Sequence, residues 1–249
     1  MKSTRQQDIL TLIAQQETLK VDELAARYQV SKETIRRDFH HLQERGLLIR
    51  QHGRAKGIKL GVPDSGDSFN TRVKSHLYSK ADIAAQALTW IGEDMVIALD
   101  ASSTCWYLAK KLPDIPLTIF TNSVRVCHEL EKKAHISLVS SGGTLQRKYA
   151  CYVNPAMFSI LKNLEIDLFI FSCEGIDDDG MMWDSNASNA EFKSILLHKA
   201  TQSLLLMDKS KLRRKSTVKI GPLQWVERVI SDAEAPQGVA ALQGKLADS

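Results

Sequence analysis

Six short apolar runs, each ending in small polar or charged residues, constrain the fold from Met95 onward. They are MVIAL before DASST, LTIF before TNS, ISLV before SSGG, LFIF before SCEG, LLLM before DKSK and VERVI before SD. A helical pattern usually follows the polar ending. Apolar runs without polar alternation predict strands covered on both faces. Strands that alternate with helices predict an α/β domain with a mostly parallel sheet. Ligands of such sheets sit at the carboxyl ends of the strands. Here those ends collect hydroxyls, glycines and the lysines Lys209 and Lys211.

The first sixty residues read differently. Three helical patterns occupy them. Ile9, Leu12 and Ile13 share a face within residues 5–16. Val21, Leu24, Ala25 and Tyr28 follow an i, i+3, i+4, i+7 spacing. Ser31 is a good N-cap for the third helix, and Val30 and Ile35 are placed to form a hydrophobic staple over it. That helix buries Ile35, Phe39 and Leu42. At 3.6 residues per turn Arg37 then lies nearly opposite the stripe, with Arg36 and Thr34 flanking it. Leu47–Arg50 and Ala55–Leu60 have strand character around a His52-Gly53 turn. Helix, helix, helix and basic hairpin make a winged helix-turn-helix. Its recognition helix enters the major groove by its N-terminal end. This assigns Ser31, Lys32, Thr34, Arg36 and Arg37 on the helix to double-stranded operator DNA. Arg50, His52, Arg54 and Lys56 join them from the wing. An arginine there holds either guanine O6/N7 or a phosphate, and the sequence leaves both open. A three-helix interaction module with a solvated third helix is the alternative.

Charge supports the division. Residues 1–59 hold 12 Lys and Arg against 7 Asp and Glu, while the remainder carries 21 against 22. The basic surplus therefore belongs to the small first module, as expected for a nucleic-acid reader attached to a near-neutral body. LGVPDSGDS, residues 60–68, reads as a linker. Residues 69–232 form the expected effector-binding domain, and residues 233–249 an unpatterned tail. No apolar run approaches the ~20 residues of a membrane-spanning helix, and MKSTRQQDIL has no signal-peptide core. We therefore expect a cytoplasmic chain with no membrane partner. The four cysteines are dispersed without a C-x-x-C pair and read as small core residues. A lowered thiol pKa is the alternative for Cys105, which stands near a helix start. We expect no metal and no cofactor.

Within the body, Asp100 to Thr104 is the most informative segment. Ser102, Ser103 and Thr104 stand at a helix start, where exposed N–H groups favour an anion. The turn Thr121, Asn122 and Ser123 and the turn Gly142-Gly143 lie at neighbouring strand ends. Asp100, Asn122 and Glu174 suit the hydroxyls of a polyol, and Lys211 supplies positive charge. Arg147, with Lys148 and Tyr149, either covers the ligand or belongs to a solvated loop. WDSNASN, residues 183–189, suits a pocket mouth. Any one of these pieces also suits a capped helix or an ordinary turn. Their recurrence at successive strand ends favours a site for a small phosphorylated sugar. No catalytic residue is assigned. A rival reading as a sugar-phosphate isomerase would nominate Glu174 as base and Lys211 as carbonyl polariser.

SKETIRRDFHHLQERGLLIRQHGRA closely resembles the N-terminal signature of the DeoR family of bacterial sugar-metabolism regulators. That signature is S-x-x-T-I-R-R-D-L, then L-x-x-x-G, then R-x-H-G-G-A. Phe39 stands for the usual Leu, and Arg54 for the second Gly. The body resembles the family's effector domain through its D-x-G-S-T loop (Asp100 to Thr104), T-N-S turn, G-G turn, E-G-I element (Glu174 to Ile176) and D-x-S-K element (Asp208 to Lys211). Ser102 replaces a common Gly. The resemblance implies a transcriptional regulator with a phosphorylated sugar effector and a body related in fold to ribose-5-phosphate isomerase. Readers of this type act as pairs on repeated half-sites, so a homo-oligomer is expected.

Overall fold

The computed structural model describes residues 2–15, 18–44, 48–51, 53–57 and 66–233. His52, residues 60–65 of the expected linker and residues 234–249 of the expected tail lie outside them. Backbone contacts divide the chain into two units, Met1–Val62 with Asn154–Leu164, and Pro63–Val153 with Glu165–Ser249.

In the first unit the three helices are α1 (Lys2–Gln15), α2 (Val21–Arg27) and α3 (Lys32–Glu44). Strand β1 (Thr18–Lys20) lies between the first two, and β2 (Leu48–Gln51) and β3 (Arg54–Gly57) follow the third. Helix α3 begins where the capping chemistry requires. The Ser31 hydroxyl accepts from the Thr34 amide at 3.2 Å. Ile35, Phe39 and Leu42 go fully inward, against Ile9 and Ile13 of α1 and Val21, Leu24 and Ala25 of α2. Val30 packs on the same core, as a staple should. Asp38, also buried, accepts from Arg5 Nε at 2.6 Å and Gln6 Nε2 at 2.9 Å, tying α3 to α1. The expected hairpin is a three-stranded antiparallel sheet of order β1-β3-β2. Strand β1 went unpredicted because three residues, with Leu19 alone inward, carry too little alternation to register.

The second unit opens with α4 (Phe69–Lys74) and α5 (Leu77–Gln86). Then come β4 (Val96–Leu99), α6 (Ser103–Lys111), β5 (Leu117–Thr121), α7 (Val124–Leu130) and β6 (Ile136–Ser140). A hairpin of β7 (Thr144–Gln146) and β8 (Cys151–Val153) precedes α8 (Met157–Leu161), which is grouped with the first unit. The rest is β9 (Leu168–Phe171), β10 (Gly175–Ile176), β11 (Met181–Asp184), α9 (Ala187–Lys199), β12 (Gln202–Met207), β13 (Val218–Pro222) and β14 (Arg228–Ser231). All six apolar runs become strands of one sheet, in the order β14-β12-β9-β4-β5-β6, every neighbouring pair parallel. Alternate residues face opposite layers. Ile97, Leu99, Ile119, Leu168, Ile170, Leu204 and Leu206 pack with α5, α6 and α7. Phe120 and Phe169 meet Phe192 of α9 on the other side. Covering on both faces explains why MVIAL, LFIF and LLLM lack polar positions, while the edge strands β6 and β14 expose Ser137 and Arg228. The order reverses between β4 and β9. That reversal is the switch point where a crevice opens at the carboxyl ends. Among the described residues no helix is long and apolar enough to cross a membrane.

Trp90, Trp106, Trp183 and Trp225 all belong to the second unit. Phe39→Ala empties the centre of the first unit and should lower its stability by about 3–5 kcal/mol. Urea titration followed by circular dichroism at 222 nm should show an early helical transition. The tryptophan fluorescence midpoint should stay where it is in the parent protein.

Candidate functional site

Two surfaces carry chemistry, one in each unit. On α3 the side opposite the core is open. The side chains of Arg36 and Arg37 are 54% and 80% exposed. Their partner is Glu33, at 3.4 and 3.9 Å, and Lys32 pairs with Asp22 at 2.9 Å. Exposed pairs of this kind contribute only about 0–1 kcal/mol, so the guanidiniums exchange partners readily. Ser31 is exposed and its hydroxyl is engaged as the cap, while Thr34 is half-buried beside it. The Arg50 amide is held by Gln43 Oε1 at 3.0 Å, and Arg50 and Arg54 are both exposed on the small sheet. Lys56 lies in β3, two residues after Arg54 and opposite Ile49 of β2.

In the second unit a cavity with about 300 Å³ of empty volume sits at the switch point. Ala101 and Ser102 after β4 line it, with Cys173 and Glu174 after β9. Asp184, Ser185, Asn189 and Lys193 enter from β11 and α9, and Arg72 and Tyr149 close the remaining side. The lining is polar, which suits a ligand rich in hydroxyls.

The floor is an ion cluster. Lys193 Nζ lies 3.2 Å from Asp100 Oδ2 and is hydrogen-bonded to Asp184 Oδ2, all three side chains being buried. Burial alone would push the Lys193 ammonium down. The two carboxylates outweigh it and hold the group above the ordinary lysine value. Asp100 also accepts from the Ser102 amide at 3.1 Å and, at 3.5 Å, from the Ser172 amide. Asp184 accepts from the Asn186 amide at 2.9 Å. Asn186 caps α9 by accepting from the Asn189 amide, and Asn189 Oδ1 accepts from Asn122 Nδ2 at 3.3 Å. The Asn122 Oδ1 atom is buried without a hydrogen-bond partner among the described residues.

The expected residues divide into three groups. Ser102 and Glu174 line the cavity, and Asp100 and Asn122 stand directly behind it. Several hydroxyls instead serve the scaffold. Ser102 caps α6 by accepting from Cys105, and Ser123 caps α7. Thr121 Oγ1 donates to the Leu99 carbonyl and accepts from the Ser123 amide. Ser103 and Thr104 are buried in the first turn of α6. The third group lies off the cavity lining. Gly142 and Gly143 form a left-handed turn, with φ of 59° and 100°, and Arg147 is exposed. Lys211 reaches Glu174 at 3.8 Å, and Arg214 grips the same carboxylate at 2.7 Å. The basic stretch 211–215 is solvated yet paired with carboxylates. Arg213 and Lys215 pair with Asp178 and Asp177 as well. Gly175 is required beneath it, because a Cβ there would stand 2.3 Å from the Arg214 carbonyl oxygen.

Sequence reasoning missed Lys193 and Arg72. The signal for Lys193 was available, since it shares the inward stripe of α9 with Ala190 and Leu197. A lysine on an apolar stripe demands a buried carboxylate. Cys105 follows the core reading. Burial pushes its thiol well up, Asp100 adds to the effect, and the Sγ lies 3.4 Å from the Ile170 carbonyl. Cys173 is likewise pushed up to about 12, first by burial. Behind Arg72, buried Lys80 of α5 donates to the carbonyls of Arg72 and Ser75 at 2.7 and 2.8 Å. Burial, reinforced by Lys211, lowers its ammonium to about 8.

Residues 5–60 match the DeoR-like helix-turn-helix domain, and residues 75–233 match the DeoR C-terminal sensor domain. The L-fucose operon activator of Escherichia coli is 60% identical over 93% of this chain and 96% of its own. The protein of the same description in Haemophilus influenzae is 37% identical over 94% of each chain. Among solved structures, ribose 5-phosphate isomerase A from Methanocaldococcus jannaschii overlays with a TM-score of 0.42 and 16% identity, covering 55% of each chain.

Lys193→Met leaves two buried carboxylates facing each other and should destabilise the second unit by about 3–5 kcal/mol. The deficit should shrink as pH falls, because the stranded carboxyls then take up protons; denaturation at pH 7 and pH 5 checks this. For Lys80 the folded value lies below the unfolded 10.5. Between about 8 and 10.5 the unfolded chain keeps a proton that the folded chain has released, so stability rises with pH across that window. Lys80→Met should abolish that rise in melts recorded from pH 8 to 10.5.

Proposed function

Because the chain belongs to the DeoR family of transcriptional regulators, we propose that it binds operator DNA with α3 and the small sheet and tunes that binding to a phosphorylated sugar. The observation that carries the DNA half is the capped start of α3, which presents Arg36 and Arg37 to solvent opposite a buried stripe. In the groove, Ser31, Lys32, Thr34, Arg36 and Arg37 face bases and phosphates. Arg50, His52, Arg54 and Lys56 follow the backbone alongside. Counterion release makes such attachment steeply salt-dependent.

The effector half rests on the cavity at the switch point. Its floor offers carboxylates and an ammonium to sugar hydroxyls. The loop 101–104 offers the N-terminal amides of α6 to a phosphate. The relatives named for the L-fucose operon support that operon as the target and activation as the outcome. Fuculose-1-phosphate is the effector we propose, bound without turnover and read by a homo-oligomer. Ligand binding then biases one arrangement of the paired readers over another in proportion to its differential affinity.

Fluorescence anisotropy of a labelled promoter fragment, with and without fuculose-1-phosphate, tests both halves. Arg37→Ala should weaken promoter binding at least tenfold with an unchanged melting temperature. Undiminished affinity would remove α3 from the interface. Ser102→Asp keeps a competent helix cap but sets a carboxylate against the phosphate. It should retain DNA binding and lose the ligand response. The parent protein at 100 times the ligand dissociation constant should gain about 2.7 kcal/mol in stability.

A further inference from the structure

Gly66, close to where the chain passes into the second unit, is built into the cavity wall. A Cβ on Gly66 would stand 2.0 Å from Ser185 Oγ and 2.6 Å from the Tyr149 hydroxyl. Both side chains line the cavity, and the tyrosine hydroxyl donates to the serine at 3.4 Å. Two residues on, Ser68 caps α4 by accepting from the Thr71 amide. The Phe69 amide donates to the Lys148 carbonyl at 2.8 Å, and its ring meets Trp106 of α6 edge-on at 6.1 Å. One turn later Arg72 enters the cavity. Its Nη2 donates to the Ala101 carbonyl at 3.4 Å, in the loop that starts α6. Its guanidinium carbon lies 5.6 Å from the ring centres of Phe69 and Tyr149. Its Nε–H is buried with no hydrogen-bond partner among the described residues.

A buried donor without an acceptor is costly, and a guanidinium with a free N–H edge matches a phosphate oxygen. Five of the contacts just described connect residues 66–72 to three parts of the wall: the 101 loop, the 148–149 turn and Ser185. The same seven residues are the first described length of the second unit after the DNA-reading module.

We infer that residues 66–72 are the element through which cavity occupancy reaches the DNA-binding module, with Arg72 taking the anionic group of the ligand. The inference rests on the reading of the cavity as a sugar-phosphate site. Arg72 satisfies its Nε–H on the phosphate, α4 is thereby fixed against the start of α6, and the chain leaving through Gly66 is held against Ser185 and Tyr149. Without ligand the same segment is held by the weaker contacts alone. Two states of one segment, differing in ligand affinity, are what coupling between sites requires.

Hydrogen–deuterium exchange on the full chain, with fuculose-1-phosphate as the probe, tests this. Slowed exchange at both the 100–105 loop and residues 66–72, the Phe69 amide included, is expected. Slowing at the loop with residues 66–72 unchanged overturns the inference and leaves the cavity reading standing. No slowing at either overturns both. Gly66→Ala forces the entry strand away from Ser185. At saturating fuculose-1-phosphate its ligand-induced change in promoter affinity should fall towards none. A change equal to that of the parent protein overturns the inference. Arg72→Gln should lose at least tenfold in affinity for fuculose-1-phosphate and little for unphosphorylated fuculose. Equal losses for both would remove the phosphate from Arg72.

Discussion

One buried ammonium shared by two buried carboxylates organises the effector unit. Lys193 stands between Asp100 and Asp184, and each partner comes from a different layer of the fold. Asp100 directly follows the central strand β4, Asp184 ends β11 in a separate three-stranded sheet of order β10-β11-β13, and Lys193 rises from α9 across the main sheet. Desolvating three charges costs several kcal/mol per ion before attraction repays it. The arrangement holds only because backbone amides of Ser102, Ser172 and Asn186 satisfy the remaining carboxylate lone pairs. Register between sheet and helix is therefore set tightly at the one end where the crevice opens. The cavity inherits its shape from that constraint, and its polar character follows from the same groups.

The two units use positive charge in opposite ways. Arginines on α3 are solvated and paired loosely with Glu33, so they remain available to a polyanion. Lys193 is locked in place and has no such freedom. Between these extremes lie Lys211 and Arg214, which hold Glu174 at the cavity rim. Glu174 thus presents a carboxylate whose position is fixed by cations outside the cavity. Such held groups suit recognition of sugar hydroxyls, where a misplaced acceptor forfeits most of its hydrogen-bond energy.

The strands β4, β9 and β12 were legible because residues buried on both faces must be apolar and here come four or five in a row; β14, whose run holds Glu227 and Arg228, was legible only as a member of the repeated pattern. Helix α3 was legible from its cap and staple, which are local contacts within five residues. The T-N-S turn was legible as a strand end but not in its role. Thr121 and Ser123 are taken up by backbone groups of their own neighbourhood, and a hydroxyl's preference between backbone and ligand is not written in its spacing. The residues missed, Arg72 and Lys193, lie far along the chain from the loops they serve. Lys193 carried a faint signal as a charge on an apolar stripe. Arg72 carried none, since an arginine on a six-residue helix usually faces water.

What the chain's order of residues determined by itself was everything governed by periodicity and capping. That includes a basic three-helix reader and a parallel α/β body with polar residues at its strand ends. Tertiary structure alone decided which polar groups face the cavity and which are consumed in holding it. The reason is that hydrogen bonds are satisfied in space, by whichever donor the packed layers bring within about 3 Å. Asp100, Asp184 and Lys193 meet only once the layers close, and no local rule connects their positions.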